Sequence, residues 1–139
     1  MDLSFSPEEE AFRQEVREWI DEAMPDDLRE KAEANAQFSM PEVMRWHEIL
    51  YEKGWVAPHW PKKHGGAGMD PTRRFILNEE LELAGTPTLS PFGLSMVGPL
   101  LMQFGRPDQK ALALGAAAER ADDLVVFLQP PMLRRRAVG

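Results

Sequence analysis

The chain has 139 residues, 43% of them hydrophobic and 28% charged, with a formal net charge of −7 and no cysteine. That length suffices for one compact domain burying about two-thirds of its unfolded surface. The acidic balance argues against a nucleic-acid-binding face, and the missing cysteines exclude disulfide scaffolds and thiolate metal sites. No apolar run approaches the roughly 18 residues of a membrane span. The N-terminus has neither the basic nor the apolar region of a signal peptide, so the expectation is a soluble, cytoplasmic protein.

The first predicted helix covers residues 6–24. Ser6 caps it, Pro7 suits the first helical position and Glu9 completes a capping box. Phe12, Val16, Trp19, Ile20 and Ala23 recur at helical spacing as a buried stripe, and Pro25-Asp26-Asp27 ends it. Residues 28–38 have few apolar anchors and read as a weak helix or a connection. A second capping box, Ser39-Met40-Pro41-Glu42, opens a helix with Val43, Trp46, His47 and Leu50 on one face, closed by Gly54 in the left-handed position.

The stretch from Trp55 to Gly68 holds two tryptophans, two prolines, two histidines and three glycines. It reads as an ordered loop, stiff at Pro58 and Pro61 and permissive at Gly65, Gly66 and Gly68. Asp70-Pro71 starts the next helix, with Leu77, Leu81 and Ala84 inward, ending at Gly85-Thr86-Pro87. Glu79, Glu80 and Glu82 are read as its solvated side. A further apolar segment runs from about Phe92 to Phe104 and stops at Gly105, and Arg106-Pro107-Asp108 marks a fresh helix start. No strand alternation of useful length precedes residue 110. The economical fold is an all-α helical bundle with short connections.

Residues 1–110 carry 12 basic and 20 acidic side chains, and residues 111–139 carry 4 and 3. The latter contain seven alanines and end in Pro130-Pro131 and Arg134-Arg135-Arg136. The expected division is a helical domain over 1–110 and an irregular or weakly helical tail over 111–139, disordered or read out of frame. The three arginines are expected to stay solvated.

Four segments, in order, resemble the N-terminal domain of the FAD-dependent acyl-CoA dehydrogenases. They are Met1 to Ile20 with SPEEEAFRQEVREWI, and Trp46 to Gly68 with its Gly-Trp, Pro and Gly-Gly-x-Gly turn. Arg73 to Ala84 follows within RRFILNEELELAG, then Gly93 to Lys110 with GLSMVGPLLMQFGRPDQK. The resemblance implies α,β-dehydrogenation of an acyl-CoA thioester to the enoyl-CoA, with FAD as hydride acceptor and a glutamate as base. In that family the base lies in a C-terminal helical bundle, and a β-domain motif similar to TEPGAGSD contacts the flavin. Neither motif occurs in this sequence, so no acid here is assigned as the catalytic base, and the chain is expected to be inactive alone. By the same resemblance, Phe92, Ser95 and Met96 face the acyl pocket, and the nearest flavour is the enzymes acting on dicarboxyl- or aromatic-type acyl-CoA.

The abrupt change at residue 111 fits a reading-frame shift or a gene remnant, which makes the chain an N-terminal fragment of such a dehydrogenase. The alternative is a non-catalytic helical module that pairs with a flavoprotein dehydrogenase subunit or with the missing domains. A small acyl- or CoA-binding protein ranks below both, since no basic patch for the CoA phosphates stands out. His59 and His64 lie five apart with no third ligand nearby, so loop packing rather than a metal site is expected. Gly65-Gly66-Ala67-Gly68 lacks the Gly-Lys-Ser/Thr ending of a phosphate loop and is read as turn geometry.

Overall fold

Helix α1, Pro7–Ala23, begins where the capping box predicts: the Ser6 hydroxyl accepts from the Glu9 N–H at 3.2 Å, and the Glu9 carboxylate accepts from the Ser6 N–H at 2.7 Å. The computed structural model describes residues 4–89 and 92–110, with the backbone alone at 92 and 93. The expected tail over 111–139, with Arg134 to Arg136, lies outside the described residues. The remaining helices are α2 (Asp26–Glu33), α3 (Met40–Lys53), α4 (Pro71–Leu83) and α5 (Gly98–Phe104), with a 3₁₀ turn at Lys62–His64 and a π-helical stretch at Phe92–Val97. A further helix starts at residue 107. No strand occurs among the described residues, so the all-α bundle expected from the periodicity is the fold observed.

Of the segment with few apolar anchors, residues 34–38 are turn and coil, and residues 28–33 belong to the short helix α2. Leu28 is its single fully buried side chain, and that one anchor docks α2 on the core. An eight-residue helix is marginal alone and draws its stability from such tertiary contact. The core is aromatic at its centre. Trp19 lies 5.7 Å from Trp46 and 5.0 Å from Trp55 between ring centroids, and Phe12 packs edge-on against Trp55 at 5.9 Å. Such pairs add about 0.5–1.5 kcal/mol each beyond the area they bury. Val16 and Ile20 of α1, Leu50 of α3, and Ile76 and Leu77 of α4 close the core around them.

The structure corrects the reading of the α4 glutamates. Glu80, expected on the solvated side, is only 4% exposed. It faces α1, where Arg13 and Arg17 lie one turn apart and both donate to its carboxylate, Arg17 through Nε at 2.7 Å. Arg13 also donates to Glu79 at 2.6 Å. Burial alone would raise the Glu80 carboxyl, but the hydrogen bonds from Arg17 and Arg13 outweigh it and hold the group below the usual carboxylate range. A glutamate in a Glu-Glu pair looks solvent-facing in sequence, because its partners lie more than sixty residues upstream on another helix.

Candidate functional site

The Trp55–Gly68 loop is built as a rigid block on which the site rests. Its backbone closes on itself: the Ala67 N–H donates to the Ala57 carbonyl at 3.2 Å, Gly68 to Trp60 at 2.9 Å and Met69 to Pro58 at 2.9 Å. Gly66 is required by close approach, since a Cβ there would stand 2.1 Å from the Trp60 carbonyl oxygen. Val56, Ala57 and Trp60 are buried in the core.

From this block two side chains reach the π-helical stretch. The Trp60 indole N–H donates to the Leu94 carbonyl at 2.7 Å, and His59 Nε2 lies 3.0 Å from the same oxygen. A carbonyl only accepts, so His59 Nε2 carries its proton in this arrangement. These bonds position Leu94 and Ser95 over the gap between α3 and α4.

The gap is a cavity of about 710 Å³, a volume typical of small-molecule sites. Its apolar walls include Trp46, Leu50, Trp55, Val56, Leu77, Leu81 and Leu94. Its polar lining includes Arg74, Asn78 and Glu82, four residues apart along one side of α4, with His59, Thr86, Thr88 and Ser95 across the gap. Arg74 is half-buried and makes no ion pair among the described residues. Trp46 is fully buried and its Nε1–H finds no acceptor among them. The cavity can hold an apolar body and offer it the Arg74 guanidinium and the Asn78 amide, whereas the Trp46 Nε1–H has no accessible surface through which to reach a ligand. No described group is arranged as a nucleophile with its base, and no cluster of three His, Asp or Glu able to hold a metal occurs among the described residues.

Of the three residues expected at a pocket, Ser95 lines the cavity. Met96 is 59% exposed, and the Phe92 side chain lies outside the described residues. Sequence reasoning missed Arg74, Asn78 and Trp46 as lining residues. The four-residue spacing of Arg74, Asn78 and Glu82 was visible, but a polar stripe on a helix ordinarily faces water. The glycine run takes left-handed backbone at Gly65 and Gly68, φ +83° and +60°, as turn geometry requires.

Comparison with known proteins follows the same lines. The model of the family described as acyl-CoA dehydrogenase, N-terminal domain, matches residues 6–120. The chain is 30% identical over 119 residues to the acyl-CoA dehydrogenase FadE26 of Mycobacterium tuberculosis, covering 82% of this chain and 29% of that protein. Among solved structures it is similar to the Tcur3481-Tcur3483 steroid ACAD, with a TM-score of 0.72 and 27% identity over 86% of this chain and 30% of that one. It is also similar to the ChsE4-ChsE5 complex from Mycobacterium tuberculosis, with a TM-score of 0.64, 27% identity and the same coverage. The chain thus spans less than a third of the length of each of these relatives.

Proposed function

The chain belongs to the acyl-CoA dehydrogenase N-terminal domain family, and we propose that it supplies one wall of the acyl pocket of a FAD-dependent acyl-CoA dehydrogenase. The observation that carries this reading is the cavity between α3 and α4, whose lining includes Ser95. Phe92 and Met96 complete the proposed acyl-facing set. The reaction of the whole protein is α,β-dehydrogenation of an acyl-CoA thioester, with no base drawn from this chain. The chain's part is to bind and orient the acyl group and to exclude water from it. A cavity of about 710 Å³ with two tryptophans in its wall has room for a ring-bearing acyl group, in keeping with the relative named as a steroid ACAD.

FAD belongs to this proposal as the cofactor of the whole protein, where it supplies the redox chemistry. The described residues do not themselves build a flavin site. The cavity has one guanidinium and no lysine for a diphosphate, and the first turn of α4 is capped by the carboxylate of Asp70. No step is therefore derived through the flavin. A cytoplasmic location is part of the same reading; among the described residues no helix is long and apolar enough to cross a membrane. So is the division into a domain over 1–110 and a tail over 111–139, although the family match extends into that tail.

The test uses the indoles of Trp46 and Trp55, which line the cavity. Titration with cholanoyl-CoA should change their fluorescence saturably, and octanoyl-CoA should bind more weakly. A flat response to both thioesters would sink the reading.

A second reading, pairing with a flavoprotein subunit, is favoured by a separate observation. Met96, Leu100 and Phe104 recur every four residues and are 59%, 57% and 73% exposed. An apolar stripe of this kind on a helix marks a surface that another element covers. The solved ChsE4-ChsE5 relative is a complex. Tagged chain purified from its own host should bring with it a subunit absorbing near 450 nm, whereas a lone colourless monomer would count against pairing.

A further inference from the structure

No charged residue lies between Glu82 and Arg106, in a chain whose formal net charge is −7. The helical run formed by the π-helical stretch and α5 falls wholly inside that interval. Two copies of so acidic a chain repel each other over most of their surfaces, and this run offers contact free of like charges. It also needs a cover. α5 has seven residues, too few to be stable alone. Leu101 and Met102 are only partly buried against the core, while Met96, Leu100 and Phe104 stand in solvent.

The spacing of the exposed stripe is self-complementary. Leu100 is its midpoint, four residues from Met96 on one side and four from Phe104 on the other. An antiparallel pair with its two-fold axis at Leu100 sets that residue against its own counterpart. Met96 of each copy then meets Phe104 of the other, and a thioether against an aromatic ring is a favourable contact. A parallel pair would set like against like and forgo it. We infer that this face is an isologous interface between two copies of the chain, held by Met96, Leu100 and Phe104. Three side chains supply less than the roughly 800 Å² per partner that a stable complex buries, so the dimer is weak and forms as concentration rises. The inference does not rest on the acyl-pocket reading, and it gives the stripe an occupant other than the flavoprotein subunit.

Sedimentation velocity of the full chain from micromolar to millimolar concentration should show monomer passing to dimer. Added salt should strengthen the dimer by screening the net repulsion. Leu100→Lys sets two like charges at the axis and should raise the dissociation constant about tenfold or more, as loss of a central anchor does. Leu100 is 57% exposed, so this variant should keep the wild-type circular dichroism spectrum. Tyr51→Lys, at an exposed aromatic on α3, should dimerise as the wild type does. The chain has no cysteine, so Leu100→Cys places a single thiol at the axis; on mild oxidation it should crosslink faster than Tyr51→Cys. A wild type still monomeric at millimolar concentration would overturn the inference and leave the stripe to the flavoprotein subunit. Dimerisation that salt weakens, that Leu100→Lys leaves unchanged, or that crosslinks no faster at residue 100 than at 51 would place the contact elsewhere and overturn it as well.

Discussion

The Trp60 indole N–H donates to the Leu94 carbonyl at 2.7 Å, and this bond ties the loop to the helix that follows the cavity. Leu94 sits in the π-helical stretch, where the carbonyl of one residue looks to the N–H five positions on. That position is Pro99, which has no N–H to give. The indole and His59 Nε2 fill the vacancy from outside the helix. One proline thus creates an acceptor that two loop side chains use to hold the cavity wall in place.

Trp60→Phe removes the stronger of these donors and leaves a smaller ring in a buried position. It should lower stability by about 2 kcal/mol, combining a lost hydrogen bond with a packing defect. Urea unfolding reads the loss. Faster hydrogen exchange should appear around residues 94–98 while α1 stays protected, and uniform exchange across both would refute the local role of the bond.

Gly66→Ala places a methyl group against the Trp60 backbone carbonyl, 2.1 Å from its oxygen. Backbone cannot swing aside as a flexible side chain does. The loop must shift, at about 1–3 kcal/mol for forced overpacking. A melting temperature within a degree of wild type would show that the loop is softer than its hydrogen bonds indicate.

Glu80→Gln leaves Arg13, whose side chain is 10% exposed, without its buried counter-charge. Arg13 keeps its bond to Glu79, so the loss should fall below the about 3–5 kcal/mol of a fully orphaned buried charge. Replacing Arg13 and Glu80 together by methionine and leucine should recover much of that loss, because apolar partners of similar volume need no charge balance. A double-mutant cycle in urea checks both statements, and additive losses would show that the two side chains do not act as a pair.

Glu42 carries a pH dependence of known sign. Lys31 above all, then the N–H and hydroxyl of Ser39, pull its carboxyl from an ordinary 4.5 down to about 2. The folded state therefore holds the charged form more firmly than the unfolded chain does. That contribution is complete above pH 4.5 and drains away as the pH falls towards 2. Glu42→Gln lacks it at every pH. The gap in urea midpoint between wild type and Glu42→Gln should be widest near neutrality and should close near pH 2. A gap that stays constant across that range would dismiss the ion pair as its source.

The helices were legible because their signals are local. Ser6 with Glu9 and Ser39 with Glu42 are caps read within four residues, and Phe12, Val16 and Ile20 form a stripe within one helix. Gly54 takes φ +84° where the left-handed cap was expected. The family resemblance was equally local, carried by short runs in the right order. Ser95, singled out through that resemblance rather than through chemistry, is among the residues that line the cavity.

What tertiary structure alone decided are the pairings across helices. Glu80 is buried because Arg13 and Arg17 approach it from α1, and no pattern within α4 announces them. Arg74, one turn and a half earlier on the same helix, meets no carboxylate and stands at a cavity instead. In sequence the two residues look alike, charged positions on a helix rich in charge. Their fates differ because the energy of a charge depends on what lies within a few ångströms of it, and that distance is set by how helices pack rather than by the order of residues along any one of them.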